Sequence, residues 1–215
     1  VEDGYGGLEH RRSTALICAR KDLPRKGRTA PSEAYTTLLG LISHEYFHTW
    51  NVKRLKPSAF DPIDLTRENM TRMLWFFEGF TSYYDDQFLL RTKLIDAATY
   101  LKLIGKTVNQ VRSTPGRLTY SVAQASFDAW TRYYRPDENT ANATVSYYTK
   151  GSLVALCLDL ALRLLPVRDG HQPKLDGVME RLWRLGRSIT EADVVQALSD
   201  EAQHAPDTPR SEEHT

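Results

Sequence analysis

Apolar positions along the chain form one strand-length run and then a series of helical patterns. Residues 13–19 (STALICA) are an apolar run that predicts a strand entering the core. From 32 to 51, Tyr35, Leu38, Leu39, Leu41, Ile42, Tyr46, Phe47 and Trp50 make the segment apolar almost all round. That pattern predicts a buried helix, and Pro31, Ser32 and Glu33 supply its start signals. Further helices are predicted over 70–90, 96–112, 121–134, 147–165, 176–183 and 190–198. Asp96 is an N-cap candidate, and Thr190 with Asp193 resembles a capping box. Segments 21–31, 52–64 and 135–144 carry proline, glycine or polar clusters and read as loops. The last of these lacks the spacing of a calcium loop. The fold class that follows is mainly α, an α+β chain with one short N-terminal β element. Residues 206–215 have no apolar period and predict a disordered tail, and 210–215 resemble a translated sequencing-adaptor scar.

Composition narrows the class. With 215 residues, 41% of them hydrophobic, the chain can bury one real core. Its 28 basic and 27 acidic residues leave a net charge of +1, so no global field favours nucleic acid or an anionic membrane. No apolar run approaches a membrane span. Cys18 and Cys157 both sit in apolar runs and read as small core residues, neither a disulfide framework nor metal ligands. The compartment stays open between bacterial cytoplasm and periplasm. The chain starts at Val1 without a methionine and enters a glycine-rich motif at once, which reads as a fragment.

The chemistry concentrates in the first long helix, which contains His44-Glu45-x-x-His48. Residues four apart lie on one helix face, so two neutral imidazoles there can reach one divalent cation. Glu45 lies beside them, within reach of a water bound to that cation. A catalytic zinc takes three protein ligands and keeps one position open. Glu78 is the best third candidate, because a lone charge among Trp75, Phe76, Phe77 and Phe80 is costly to bury unless paired or metal-bound. The plainer alternatives are two hydrogen-bonded core histidines and an ordinary helix-surface glutamate. Ser82 and Asp85 follow Glu78 by four and seven residues and could orient a ligand from behind, or serve as a cap and a surface group. Lys53, Arg54 and Lys56 are either a solvated loop or carry one cation that points into a cleft; the spacing does not choose.

Four separated stretches carry a resemblance. HEYFHTWNVKRLKP (44–57), WFFEGFTSYYD (75–85), GYGGLEH (4–10) and YYTKG (147–151) together resemble the M61 glycyl aminopeptidase family, and more distantly the M1 aminopeptidases. The likeness covers most of 4–165. It implies a thermolysin-like gluzincin catalytic domain over 1–205, truncated on its N-terminal side. It implies one zinc ion on His44, His48 and Glu78, with Glu45 as general base and Tyr148, beside Tyr147, supporting the oxyanion. It also implies an edge strand in which Gly6 and Gly7 admit the substrate backbone and Glu9 binds its free amine. His10 stands where the M1 pattern has asparagine, which leaves the amine site less closely matched. The implied activity is removal of a small first residue, glycine or alanine, from a peptide with a free N-terminus, in a protein that also carries an N-terminal β domain and a C-terminal PDZ domain. A zinc endopeptidase and a hydrolase of non-peptide substrates share the same chemistry. From another class, a PDZ-linked interaction protein with a structural zinc is weakened by the intact Glu45 and the lack of a fourth ligand nearby.

Overall fold

The computed structural model describes residues 2–27 and 31–203; the predicted tail at 206–215 lies outside them. The chain opens with an antiparallel hairpin, β1 (Gly6–Glu9) and β2 (Thr14–Ile17), paired Gly6 to Ile17 and Glu9 to Thr14. Helices follow. They are α1 (Glu33–Phe47), α2 (Leu74–Phe77), α3 (Gly79–Arg91), α4 (Ala97–Arg112), α5 (Val122–Phe127), α6 (Thr140–Ala143), α7 (Tyr147–Arg163), α8 (Leu175–Arg184) and α9 (Glu191–Gln203). The fold is therefore mostly helical with a short two-stranded N-terminal sheet. Among the described residues no helix is long and apolar enough to cross a membrane.

The centre is a stack in which α3 packs between α1 and α7. Phe76, Phe77 and Phe80 are fully buried there, each stabilising the core by about 1.5–3 kcal/mol relative to exposure. Two glycines set the closeness of the stack. A β-carbon on Gly79 would lie 2.5 Å from the Gly151 α-carbon, and one on Gly151 would lie 2.5 Å from the Trp75 carbonyl oxygen. Only bare backbone lets α7 approach α2 and α3 so nearly. Farther along, Lys150 donates to the carbonyls of Arg117 (2.9 Å) and Tyr120 (3.3 Å), tying α7 to the segment before α5. The loop after α1 is stitched to the C-terminal helices, with Ser58 N–H on Ile189 O and Ile189 N–H on Lys56 O, both at 2.8 Å.

Helix signals translated well. Ser32 caps α1 by accepting from Tyr35 N–H at 3.1 Å, and Asp96 caps α4 by accepting from Thr99 N–H at 2.8 Å. Burial translated less well. The α1 helix is not buried all round, since Ile42 and Tyr46 face solvent and Trp50 just beyond it is exposed too. The 13–19 run does form a strand, but β2 is exposed along its length and does not enter the core. A two-stranded sheet leaves one face open, which exposes Leu8 and Ile17, and it is too small for α1 to cover Leu16 on the other. Cys157 is exposed on α7 and Cys18 half-buried, so neither is the core residue its apolar neighbours suggested. The predicted helix at 121–134 divides into α5 and a wider π-turn at Ala129–Tyr133.

Candidate metal centre and active site

Helix α1 presents His44 and His48 from its last turn, with ring centroids 4.7 Å apart and planes at 86°. Glu78 comes in from the α2–α3 junction. Its Oε2 lies 3.2 Å from Nε2 of both histidines, so one point is ringed by three donor atoms. The far nitrogens are also engaged. His44 Nδ1 donates to Asp85 Oδ2 at 3.0 Å, and His48 Nδ1 donates to the Asn51 carbonyl at 2.9 Å. These bonds turn both Nε2 atoms toward the shared point. Asn51, which no sequence signal marked, is itself pinned by donating to Phe77 O and Thr81 Oγ1, both at 3.1 Å. Ser43 Oγ donates to the Asp85 main-chain carbonyl at 3.0 Å, tying α1 to α3 where Asp85 orients His44. Ser82 has no comparable place; among the described residues its hydroxyl bonds none of the three donors, and its N–H continues the helix to Glu78 O.

The electrostatics call for a cation. Burial works against a charge on His44, but hydrogen bonds to Asp85 and Glu78 outweigh it and hold the ring protonated, pushed up to about 10. Burial would raise Glu78, yet bonds to His44 and His48 pull it down to about 2. Two imidazoles, one carboxylate and an oriented second nitrogen on each ring are a donor set that suits zinc.

Glu45 sits beside this cluster and differs from it. It is buried, its Oε2 makes no hydrogen bond, and burial raises its pKa. A β-carbon on Gly7 would come within 2.1 Å of Glu45 Oε1, so β1 crosses in close contact with the Glu45 side chain and a larger residue at Gly7 would displace that carboxylate. Gly6 carries no such constraint, with open space where its β-carbon would be. An oxygen of Glu9 lies within 4.8 Å of ligand atoms of both Glu45 and His48, which brings the strand's carboxylate to the rim of the centre. Lys53 pairs with Glu9 Oε1 at 3.0 Å. Its neighbour Arg54 goes elsewhere, donating to Thr49 O at 2.6 Å.

The two adjacent tyrosines separate cleanly. The Tyr148 ring lies 6.2 Å from that of His44, whereas Tyr147 is buried against Tyr133 at 4.9 Å. Burial and the nearby Glu78 push the Tyr148 hydroxyl well above its ordinary value, so it stays a donor. Tyr134 contributes a hydroxyl 3.5 Å from that of Tyr148. Beyond Glu78 the cleft opens into an apolar cavity of about 340 Å³, walled by Met70, Phe127, Trp130 and Tyr147 among others.

Comparison with known proteins places the chain's relatives. The family model of the M61 glycyl aminopeptidases matches residues 37–154, which hold α1 through the first half of α7. A crystal structure of an aminopeptidase N family protein from Idiomarina loihiensis superposes with a TM-score of 0.85 at 43% identity. The match covers 98% of this chain and 38% of that one, so the chain spans well under half of its neighbour's length. No curated protein sequence matches.

Proposed function

The chain belongs to the M61 glycyl aminopeptidase family, and from that premise we propose that it is a zinc-dependent aminopeptidase. It hydrolyses the N-terminal bond of peptides whose first residue is small, glycine or alanine. The observation that carries this reading is the convergence of His44, His48 and Glu78 beside the unpartnered Oε2 of Glu45. Three protein ligands with room for a fourth partner suit a catalytic zinc, whereas structural zinc closes on four.

A bound zinc supplies an activated water and an electrophile for the scissile carbonyl. The chain's own residues do the rest. Glu45 takes the attacking water's proton at its free oxygen and returns a proton to the leaving amine. Tyr148 donates its hydroxyl hydrogen to the oxygen on which negative charge develops. Asp85 and the Asn51 carbonyl keep both imidazoles turned inward. Glu9 receives the substrate's ammonium, a charge-assisted contact worth about 1.5–3 kcal/mol. That contact sets the scissile bond one residue from the amine. The glycine–alanine preference rests on family kinship. So do a preceding β domain and a following PDZ domain in the whole protein, which the greater length of the structural neighbour also favours.

The test compares a free-amine alanyl dipeptide with its N-acetylated twin, with and without a chelator. The free-amine peptide should be cleaved, the twin spared, and the chelator should abolish turnover reversibly. Cleavage that survives chelation removes the metal from the mechanism. Equal cleavage of the twins makes the protein an endopeptidase instead.

A further inference from the structure

We infer that Lys53 is a positioning residue: it holds Glu9 in place beside Glu45, and thereby sets how strongly the cleft recognises a substrate ammonium. This rests on the reading of Glu9 as the amine anchor and adds the device that makes it one. The first observation is where Glu9 stands. It lies at the end of β1, in a hairpin of only two strands whose Leu8 and Ile17 point to solvent. The hairpin packs on α1 by one face, so Glu9 depends for its position on partners outside its own sheet. The second observation is repulsion. Glu9 and Glu45 bring carboxylate oxygens within 4.8 Å of one another's cluster, and two like charges so close favour Glu9 swinging away.

Lys53 answers both. Its Nζ lies 3.0 Å from Glu9 Oε1, and the two side chains are 28% and 21% exposed, so the pair is largely shielded. The lysine is delivered by a rigid turn. Its N–H donates to His48 O at 3.1 Å, Val52 N–H donates to Leu55 O at 2.9 Å, and Leu55 N–H returns to Trp50 O at 2.9 Å. Val52 has φ 117, a left-handed conformation that a β-branched residue adopts only where its surroundings force it. The turn is anchored by buried Asn51, which also orients His48. One element therefore fixes both a metal-ligand ring and the cation that aims Glu9. A carboxylate accepts more than one donor, so Lys53 on Oε1 leaves lone pairs free for the incoming ammonium. With Lys53 engaged, Glu9 and Glu45 keep one net negative charge to meet one positive substrate group.

The experiment uses the full-length zinc enzyme and two readouts. The first is KM and kcat for a free-amine alanyl dipeptide. The second is calorimetric binding of alanine hydroxamate and N-acetylalanine hydroxamate, which share a metal-binding head and differ at the amine. Lys53→Met should raise KM roughly tenfold with kcat nearly unchanged, the signature of lost ground-state binding. It should weaken the free-amine hydroxamate alone and leave the melting temperature unmoved. Lys53→Arg should restore most of the loss. Glu9→Ala should erase the preference for the free amine, and adding Lys53→Met to it should change nothing more. If Glu9→Ala erases the preference while Lys53→Met leaves it intact, or weakens both hydroxamates alike, the role given to Lys53 is wrong and the anchor stands. If Glu9→Ala leaves the preference intact, the amine-anchor reading falls, and this inference with it.

Discussion

Glu45 and Glu201 are the same residue type, both buried, and both pack closely against a glycine. A β-carbon on Gly7 would reach within 2.1 Å of Glu45, and one on Gly177 within 2.2 Å of Glu201. Their hydrogen bonding separates them. Glu201 accepts from His171 Nε2 (2.8 Å), Lys174 N–H (3.2 Å) and Arg181 Nε (3.1 Å). Burial would raise its pKa, but these partners lower it. Glu45 keeps one oxygen with no partner and a pKa raised by burial. A buried carboxylate normally finds partners, because an unmade bond costs about 1–3 kcal/mol. Where both oxygens have partners, as in Glu201, the group staples α9 to α8. Where one oxygen is left open beside the His44–His48–Glu78 cluster, the site tolerates the cost, and the proposed role for that oxygen is to accept the attacking water's proton.

The contrast is sharpest at Glu45 itself. Glu45→Gln should cut kcat by about 10²–10⁴-fold with zinc retained, since an amide cannot accept the proton. Its melting temperature should hold or rise, because a buried charge is removed. Substantial turnover in the zinc-loaded variant would break the comparison. Glu201→Ala is the mirror image. It should cost about 3–5 kcal/mol in chemical denaturation, because Arg181 loses a buried counter-charge and His171 and Lys174 N–H lose their acceptor. Activity per folded molecule should be unchanged; a fall in kcat at full folding would show that the staple reaches the site.

Tyr148 and Tyr147 repeat the contrast in neighbours. Tyr148→Phe should lower kcat by about 10²–10³-fold with KM little changed, as for loss of an oxyanion donor. Tyr147→Phe should affect stability more than rate; the reverse result would move the oxyanion donor by one position. A smaller effect is expected at Asp85. Asp85→Asn should weaken zinc binding by about 10–100-fold, measured by competition with a chelating dye, as loss of a ligand-orienting bond does.

The smallest effect is the pH dependence. The folded-state pKa of Glu201 lies below the ordinary 4.5. The unfolded chain therefore binds the proton first. The stability Glu201 contributes is present above about pH 4.5 and is lost as pH falls through the folded-state value. Glu201→Gln should flatten the acid limb of a stability-against-pH curve, and an unchanged limb would assign acid sensitivity to other carboxylates such as Asp159.

What a residue's own neighbourhood in the chain dictates was legible without the fold. Four-residue spacing in a helix makes His44 and His48 share a face whatever packs around them. Ser32 and Asp96 were readable as caps because capping is a contact across three residues. An acid embedded among Trp75, Phe76, Phe77 and Phe80 pointed to Glu78, because desolvation makes an unpaired charge there untenable. What depends on partners far along the chain was decided only by tertiary packing. Asn51 matters because its carbonyl meets His48 and its amide meets α2 and α3. Of the neighbouring cations, Lys53 turns to Glu9 while Arg54 turns back to Thr49 O, because the strained turn at Val52 aims Lys53 at a strand more than forty residues earlier. Tyr148 faces the metal histidines and Tyr147 the core because Gly79 and Gly151 let α7 lie directly against α3 and so set its rotation. Composition alone could not tell that α1, β2 and Cys157 would keep apolar surface in solvent, since burial belongs to a pair of surfaces and a sequence segment shows only one of them.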